Sequence, residues 1–146
     1  MAKVSDILAA KGREVLQVDP DATVLSAIAS MVERGVGSAL VTRGREIHGI
    51  FTERDYLAKI ALQGRSSRDT RVRDVMSLEL ICVGEHHEVA DVMAIMTEAR
   101  IRHLPVVDRG GLAGIVSIGD CVRQISQDHE ARIEYLTDYI HDKYPR

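Results

Sequence analysis

An internal repeat constrains this sequence more than any other feature. Shifted by 65 residues, the stretch 24–55 aligns with 89–120 without a gap. The eight identical pairs in this alignment are Val24 with Val89, Ala29 with Ala94, Met31 with Met96, Glu33 with Glu98, Val41 with Val106, Gly49 with Gly114, Ile50 with Ile115, and Asp55 with Asp120. A repeat unit of about 50 residues cannot bury its hydrophobic face alone, so neighbouring units must pack together. We therefore expect two copies of one unit that share a core.

Each copy has the pattern strand, helix, strand, strand, helix, which predicts a mixed α/β fold. Short runs rich in branched and apolar residues predict the strands. They lie at 14–18, 39–42 and 47–51 in the first copy and at 80–83, 104–107 and 112–116 in the second. Apolar residues at helical spacing follow the first strand of each copy, and Asp21 or Thr23 is the candidate cap of the first helix. We expect the two βαββα copies to pack with pseudo-two-fold symmetry.

The repeat divides the chain into four segments. These are the first repeat (1–62), a linker (63–73), the second repeat (74–126) and a helical tail (127–146). The polar linker QGRSSRDTRVR is interpreted as a solvated connector, because no aromatic residues interleave with its arginines. VSDIL at 4–8 resembles VRDVM at 72–76, so a related segment precedes each copy. The tail continues the last helix to about Tyr144 with an apolar stripe, and a second chain that covers this stripe predicts a homodimer.

Composition argues against several classes of protein. The 19 basic and 22 acidic residues give a net charge of −3, which disfavours binding to nucleic acid or to a membrane surface. No apolar run reaches the roughly 18 residues of a membrane span, and the charged amino terminus lacks the apolar region of a signal peptide. We expect a cytoplasmic protein. We predict no metal site, because the spacing typical of metal ligands is absent from the two cysteines, Cys82 and Cys121, and from the neighbouring pair His86 and His87. We also predict that the protein is not an enzyme, because no pair of carboxylates has the spacing of a general acid and a general base.

The segment GIFTERD (49–55) and its copy GIVSIGD (114–120) have two interpretations. Each places a hydroxyl residue, and an Asp three positions later, where a strand ends and a helix begins. In a capping box, these two side chains bond the free N–H groups of the first turn. The same helix terminus can instead bind a phosphate, with the carboxylate accepting hydrogen bonds from ribose hydroxyls. Both interpretations remain open on the sequence alone.

With the repeat and these segments, the sequence resembles a tandem pair of CBS domains, the cystathionine β-synthase type. The resemblance covers about residues 4–126 and also includes the run IRHLPVVD (101–108). In this family two CBS units form two clefts that commonly bind adenosyl ligands. The resemblance therefore implies AMP, ADP, ATP or NAD(H) as the ligand, with S-adenosylmethionine a weaker candidate.

The resemblance also implies roles for particular residues. Asp55 and Asp120 would hold ribose hydroxyls, while Thr52 and Ser117 would contact phosphate or ribose. The residues implied in adenine binding are Val18, Thr23, Val36 and Ile101.

The two copies differ at the positions implied in phosphate binding. Arg102 and His103 precede the Leu-Pro-Val strand of the second copy, whereas Gly37–Ser38 occupies the equivalent positions in the first. Arg54 could compensate in the first copy, and Gly119 stands in its place in the second. We therefore expect two clefts that are not equivalent. His103 has a second interpretation, as a core histidine beside a buried strand.

These expectations define a non-catalytic regulatory protein that senses energy or redox state. The cleft predicted to bind an adenine nucleotide uses Arg102, His103, Ser117 and Asp120. Bound nucleotide would shift the arrangement of the two repeats, and an unidentified partner protein would respond to it. The alternative is an interaction module whose clefts stay empty and whose repeated segments serve only as helix caps.

Overall fold

The computed structural model describes residues 1–128, so the predicted tail beyond Asp128 lies outside the described residues. The first repeat contains α1 (Val4–Lys11), β1 (Gln17–Val18), α2 (Val24–Arg34), β2 (Ser38–Arg43), β3 (Glu46–Thr52) and α3 (Glu53–Asp55), which continues as a π-helix over Tyr56–Ala61. The second contains a 3-10 turn (Val72–Asp74), α4 (Val89–Ala99), β4 (His103–Asp108), β5 (Gly111–Ser117) and α5 (Ile118–Asp128). The mixed α/β fold of two related repeats is confirmed. Within residues 1–128, no helix is long and apolar enough to cross a membrane.

The two sheets differ in their first strand. In the first repeat, β1 pairs parallel with β2, and β2 pairs antiparallel with β3. In the second, β4 and β5 form an antiparallel pair, and the predicted strand 80–83 contributes only a single bridge, from Val83 to Val106. The reason is Pro105. Leu40, its equivalent in the first repeat, donates its N–H to the Leu16 carbonyl at 2.9 Å, and a proline has no N–H to donate.

The element that begins each repeat, α1 in the first and the 3-10 turn in the second, packs on the other repeat. On α1, Val4 and Leu8 are buried in the core of the second repeat, and the Val4 N–H donates to the His87 carbonyl at 2.9 Å. Conversely, Val72 is buried in the core of the first repeat and donates its N–H to the Ala22 carbonyl at 2.9 Å. This exchange ties the two repeats together through their cores.

The exchange changes the interpretation of the predicted linker 63–73. Two of its last four residues, Thr70 and Val72, are buried, whereas Arg71 and Arg73 are exposed. The Thr70 carbonyl accepts a hydrogen bond from the Val24 N–H at 2.9 Å, at the start of α2. The exposed part of the connection is therefore shorter than the polar sequence suggests.

Candidate functional site

A cavity of about 400 Å³ lies between the two repeats. The first repeat lines it with residues 14–16, which precede β1, and 34–38, which connect α2 to β2. The second repeat lines it with His103, Ile115, Ser117, Asp120 and Arg123. Lys11, the last residue of α1, completes the lining. Both repeats thus contribute to one cavity, as the resemblance implies.

A more open depression of about 710 Å³ lies between α1 and α5. Asp6 is the charged residue among the described side chains that line it. The Asp6 carboxylate already accepts a hydrogen bond from the Lys3 backbone N–H at 2.8 Å. This depression therefore offers a ligand far less charge than the cavity between the repeats.

Asp120 is the most highly coordinated side chain of the cavity. The Ser117 N–H donates to its Oδ2 at 2.8 Å, and the Asp120 N–H donates to the Ser117 Oγ at 3.1 Å. These reciprocal bonds are the capping box that the sequence predicts. Two cations also bind the carboxylate: Lys11 Nζ lies 2.7 Å from Oδ2, and Arg123 Nη1 lies 3.1 Å from Oδ1. Asp120 is 8% exposed, so this negative charge is held at the cavity wall rather than in bulk water.

The environment of Asp120 determines its protonation. Burial by itself works to raise the pKa of this carboxyl, because it disfavours the charged form. The hydrogen bond and charge of Lys11, with the hydrogen bonds from Ser117, outweigh that effect and hold the pKa below its ordinary value. Asp120 is therefore a carboxylate at neutral pH. A buried carboxylate of this kind accepts hydrogen bonds from hydroxyl groups and has no proton to donate.

Asp55, the equivalent residue of the first copy, is engaged in a different way. Its Oδ2 accepts hydrogen bonds from the Thr52 N–H at 3.0 Å and the Thr52 hydroxyl at 3.2 Å. The Ser77 hydroxyl donates to its Oδ1 at 2.8 Å, and Lys59 Nζ lies 3.0 Å from the same atom. The helix cap is thus present in this copy too, but neither Thr52 nor Asp55 lines the cavity that Asp120 lines.

His103 lies where the two repeats meet. A Cβ added at Gly37 would be 3.6 Å from His103 Cε1, which places the first repeat's backbone directly beside the imidazole. Burial lowers the pKa of His103 below its ordinary value, although the carboxylates of Asp120 and Glu53 act in the opposite direction. The imidazole is consequently neutral at pH 7. It offers a hydrogen-bonding group to the cavity rather than a further full positive charge.

Of the remaining predicted residues, one lines this cavity and the others do not. Val36 lines it, from the connection between α2 and β2. Val18 and Ile101 instead pack against the cores of their own repeats, and Thr23 caps α2, accepting a hydrogen bond from the Ser26 N–H at 3.2 Å. The predicted residues that are absent from the lining are Val18, Thr23, Thr52, Arg54, Asp55, Ile101, Arg102 and Gly119.

The predicted grouping of Arg102 with Asp120 is not observed. Arg102 is exposed and does not line the cavity. The repeat explains this, because Arg102 is equivalent to Gly37, and Gly37 lines the cavity with Asp120 of the opposite copy. Pseudo-symmetry therefore relates Arg102 to the repeated segment of the first copy, which contains Asp55.

Sequence reasoning missed the cations of the cavity. Lys11, Arg34 and Arg123 all line it, and none of them lies in the segments GIFTERD (49–55) or GIVSIGD (114–120). The sequence could have indicated that Arg123 lies beside Asp120, because residues three positions apart on a helix are neighbours. No such indication exists for Lys11, since it is 109 residues away from Asp120 in the chain.

Comparisons with known proteins show the family of the chain. The family model of the CBS domain matches residues 4–62 and 72–127. The mitochondrial CBS domain-containing protein CBSX3 of Arabidopsis thaliana is 41% identical, over 97% of this chain and 73% of its own length. The CBS domain-containing protein YhcV of Bacillus subtilis is 33% identical, over 97% of both chains.

Solved structures show the same architecture. A protein with CBS domains from Burkholderia ambifaria, named for a role in signal transduction, has a TM-score of 0.84 and 45% identity, over 87% of this chain and 96% of its own. The CBS domain pair of protein MJ0100 has a TM-score of 0.76 and 22% identity, over 88% of this chain and 98% of its own. Its structure contains 5′-methylthioadenosine and S-adenosyl-L-methionine. By its sequence, its fold and its duplicated architecture, the present chain belongs to the CBS-domain family, with two CBS domains in tandem.

Proposed function

We propose that this chain is a non-catalytic regulatory protein that binds an adenine nucleotide in the cavity between its repeats. The observation that carries the proposal is the position of Asp120. Its buried carboxylate lies at the start of α5, in the wall of a cavity that also contains three cationic side chains, Lys11, Arg34 and Arg123. This combination suits a ligand that has both adjacent hydroxyls and negative charge.

The parts of a nucleotide match different parts of the lining. The two carboxylate oxygens of Asp120 would accept hydrogen bonds from the ribose hydroxyls, as acidic residues do in other nucleotide-binding folds. The apolar side chains of Leu16, Val36 and Ile115 would contact adenine. The cations would contact phosphate, with which arginine forms bidentate charge-assisted hydrogen bonds. The adenosyl ligands in the MJ0100 structure support this class of ligand.

A regulatory rather than catalytic role fits the chemistry of the cavity. Among residues 1–128, no three His, Cys, Asp or Glu side chains are grouped to hold a metal ion. The buried carboxylate of Asp120 is held by a helix cap and two ion pairs, and the lining also contains Glu14 and the neutral imidazole of His103. These groups bind and orient a ligand without supplying a nucleophile.

The mechanism that we propose is a shift between arrangements of the two repeats. A ligand that contacts residues 34–38 of one repeat and Asp120 of the other favours the arrangement in which both sets are in reach. A partner protein would distinguish the two arrangements. We further propose that the chain acts as a homodimer in the cytoplasm. In support of self-association, a CBS-CP12 protein of the same fold is hexameric.

Isothermal titration calorimetry with AMP, ADP, ATP, NADH and S-adenosylmethionine tests the binding proposal. We expect at least one adenine nucleotide to bind the wild type. Asp120→Asn should weaken that binding by roughly 10- to 100-fold, since it removes a charged hydrogen-bond acceptor. Asp55→Asn is the matched control, because it alters the equivalent cap in the first repeat and leaves the lining of this cavity intact.

The alternative function, an interaction module without a ligand, is favoured by one observation: both oxygens of the Asp120 carboxylate already have protein partners. Thermal unfolding separates the two functions. A ligand that binds the native state raises the melting temperature by mass action. If no nucleotide at millimolar concentration either releases heat or raises the melting temperature, the nucleotide proposal is wrong.

A further inference from the structure

The acceptor that a ribose would use is already occupied in this structure. The Asp120 carboxylate binds Lys11 Nζ at 2.7 Å and the Ser117 N–H at 2.8 Å through Oδ2, and Arg123 Nη1 at 3.1 Å through Oδ1. The cap to Ser117 is part of the helix and can remain when a ligand binds. A ribose that donates one hydroxyl to each oxygen must therefore displace Lys11 from Oδ2, which already has two donors, whereas Oδ1 can accept a hydroxyl beside Arg123 or in its place.

The two cations are not equally free to leave. Arg123 is 67% exposed on α5, so its guanidinium can turn into solvent at little cost. Lys11 is 31% exposed, and its Nζ also donates to the Ile115 carbonyl at 2.9 Å. Its helix is anchored, because Ile7 and Leu8 are buried in the core of the second repeat. The anchored helix and these two acceptors thus confine the Lys11 ammonium to the cavity in the free protein.

This confinement has an electrostatic consequence. When a neutral ribose replaces Lys11 at Asp120, the ammonium loses its anionic partner in a partly desolvated place, which is unfavourable. A phosphate on the same ligand restores a partner of opposite charge. A sulfonium ligand instead adds a second positive charge to a cavity that already holds Lys11, Arg34 and Arg123 against Glu14 and Asp120.

We propose that Lys11 determines the ligand specificity of this cavity: it pairs with Asp120 in the free protein and with phosphate in the complex, and so selects phosphate-bearing nucleotides over neutral or cationic adenosyl compounds. This inference rests on the proposed function and extends it to the charge class of the ligand. It also assigns a binding role to α1, a helix that precedes the first repeated segment and packs on the second repeat.

The test compares AMP, adenosine and S-adenosylmethionine by calorimetry on the wild type, Lys11→Met and Lys3→Met. Methionine keeps the length and apolar stem of lysine and removes its charge. We expect Lys11→Met to weaken AMP binding by about 10-fold or more, the scale of one charge-assisted hydrogen bond, and to leave adenosine binding equal or tighter. The preference for AMP over adenosine should therefore fall by at least about 10-fold. Lys3→Met makes the same charge change just before α1, outside the lining, and should preserve the wild-type preference.

Lys11→Arg separates charge from folding. It retains a positive charge at this position and should retain the AMP preference, while thermal melting shows whether each variant is folded. The Lys11 inference is overturned if folded Lys11→Met discriminates AMP from adenosine as strongly as the wild type does. If the wild type binds none of the three ligands, nor any other adenine nucleotide, the proposed function fails and the inference fails with it. These two results are distinct, because the wild type binds a nucleotide in the first and binds none in the second.

Discussion

Leu8 and Gly114 provide a quantitative test of the exchange between repeats. Leu8 lies on α1, is 1% exposed, and belongs to the core of the second repeat. A Cβ added at Gly114 on β5 would lie 2.7 Å from Leu8 Cδ2, closer than two carbon atoms pack, and its other near neighbours are also atoms of Leu8. The two positions are 106 residues apart in sequence, so any energetic coupling between them reports the exchange directly.

The expected free energies follow from this contact. Leu8→Ala should cost about 3 kcal/mol of unfolding free energy, within the range for buried leucines. Gly114→Ala should cost about 1–3 kcal/mol, because the new methyl overfills a packed core. In the double variant the methyl enters the space that Leu8 vacated. The sum of the two single-variant costs should then exceed the loss of unfolding free energy measured for the double variant by about 1–2 kcal/mol.

Urea unfolding of the four proteins, at one protein concentration and with m-values compared, measures this coupling. Leu78→Ala combined with Gly114→Ala is the control, because Leu78 is 71% exposed and the pair should be additive. Additivity of Leu8→Ala and Gly114→Ala within about 0.5 kcal/mol would show that α1 does not pack on the second repeat in solution. That result would refute the exchange and the placement of Lys11 together.

Two further predictions concern the closeness of packing and the effect of pH. Gly49→Ala should lower the unfolding free energy by about 2 kcal/mol or more. The new Cβ would lie 2.6 Å from the Ser77 carbonyl oxygen, which belongs to the backbone and cannot rotate away. An unchanged melting temperature would contradict this prediction. Burial lowers the pKa of His103, so the unfolded chain takes up the proton first as pH falls below about 6.5. The unfolding free energy should consequently decrease from pH 7 towards the pKa of His103 in the folded protein. Urea unfolding at pH 7 and pH 5.5 measures this decrease, which should be smaller in His103→Gln than in the wild type. An equal decrease in the two proteins would show that the burial of His103 does not contribute.

Much of the architecture could be predicted because the signals are local and duplicated. The alignment of the two copies gave a helix cap as one of two interpretations of each repeated segment, and each cap depends on residues three positions apart. The loss of the predicted strand 80–83 in the second repeat could also have been predicted from the sequence. Pro105 stands in a strand position whose equivalent, Leu40, donates a backbone hydrogen bond, and a proline at that place predicts a weakened pairing.

The repeat alone could not predict that the segments at 4–8 and 72–76 each pack on the other repeat. VSDIL at 4–8 and VRDVM at 72–76 have similar apolar patterns, so either segment offers a suitable face to either core. The choice between them depends on the path of the chain, which periodicity does not encode. The same limit applies to the cavity, since Lys11 reaches Asp120 only through this exchange and shares no local spacing with it.

A crystal structure of the protein grown with AMP would show whether the cavity between the repeats is the nucleotide site. We expect AMP between the repeats, with both ribose hydroxyls within hydrogen-bond distance of the Asp120 carboxylate, about 2.5–3.0 Å. We also expect Lys11 Nζ to leave its position 2.7 Å from Oδ2 and to contact phosphate. AMP bound elsewhere, with the Lys11–Asp120 pair intact, would contradict the assignment of this cavity as the nucleotide site.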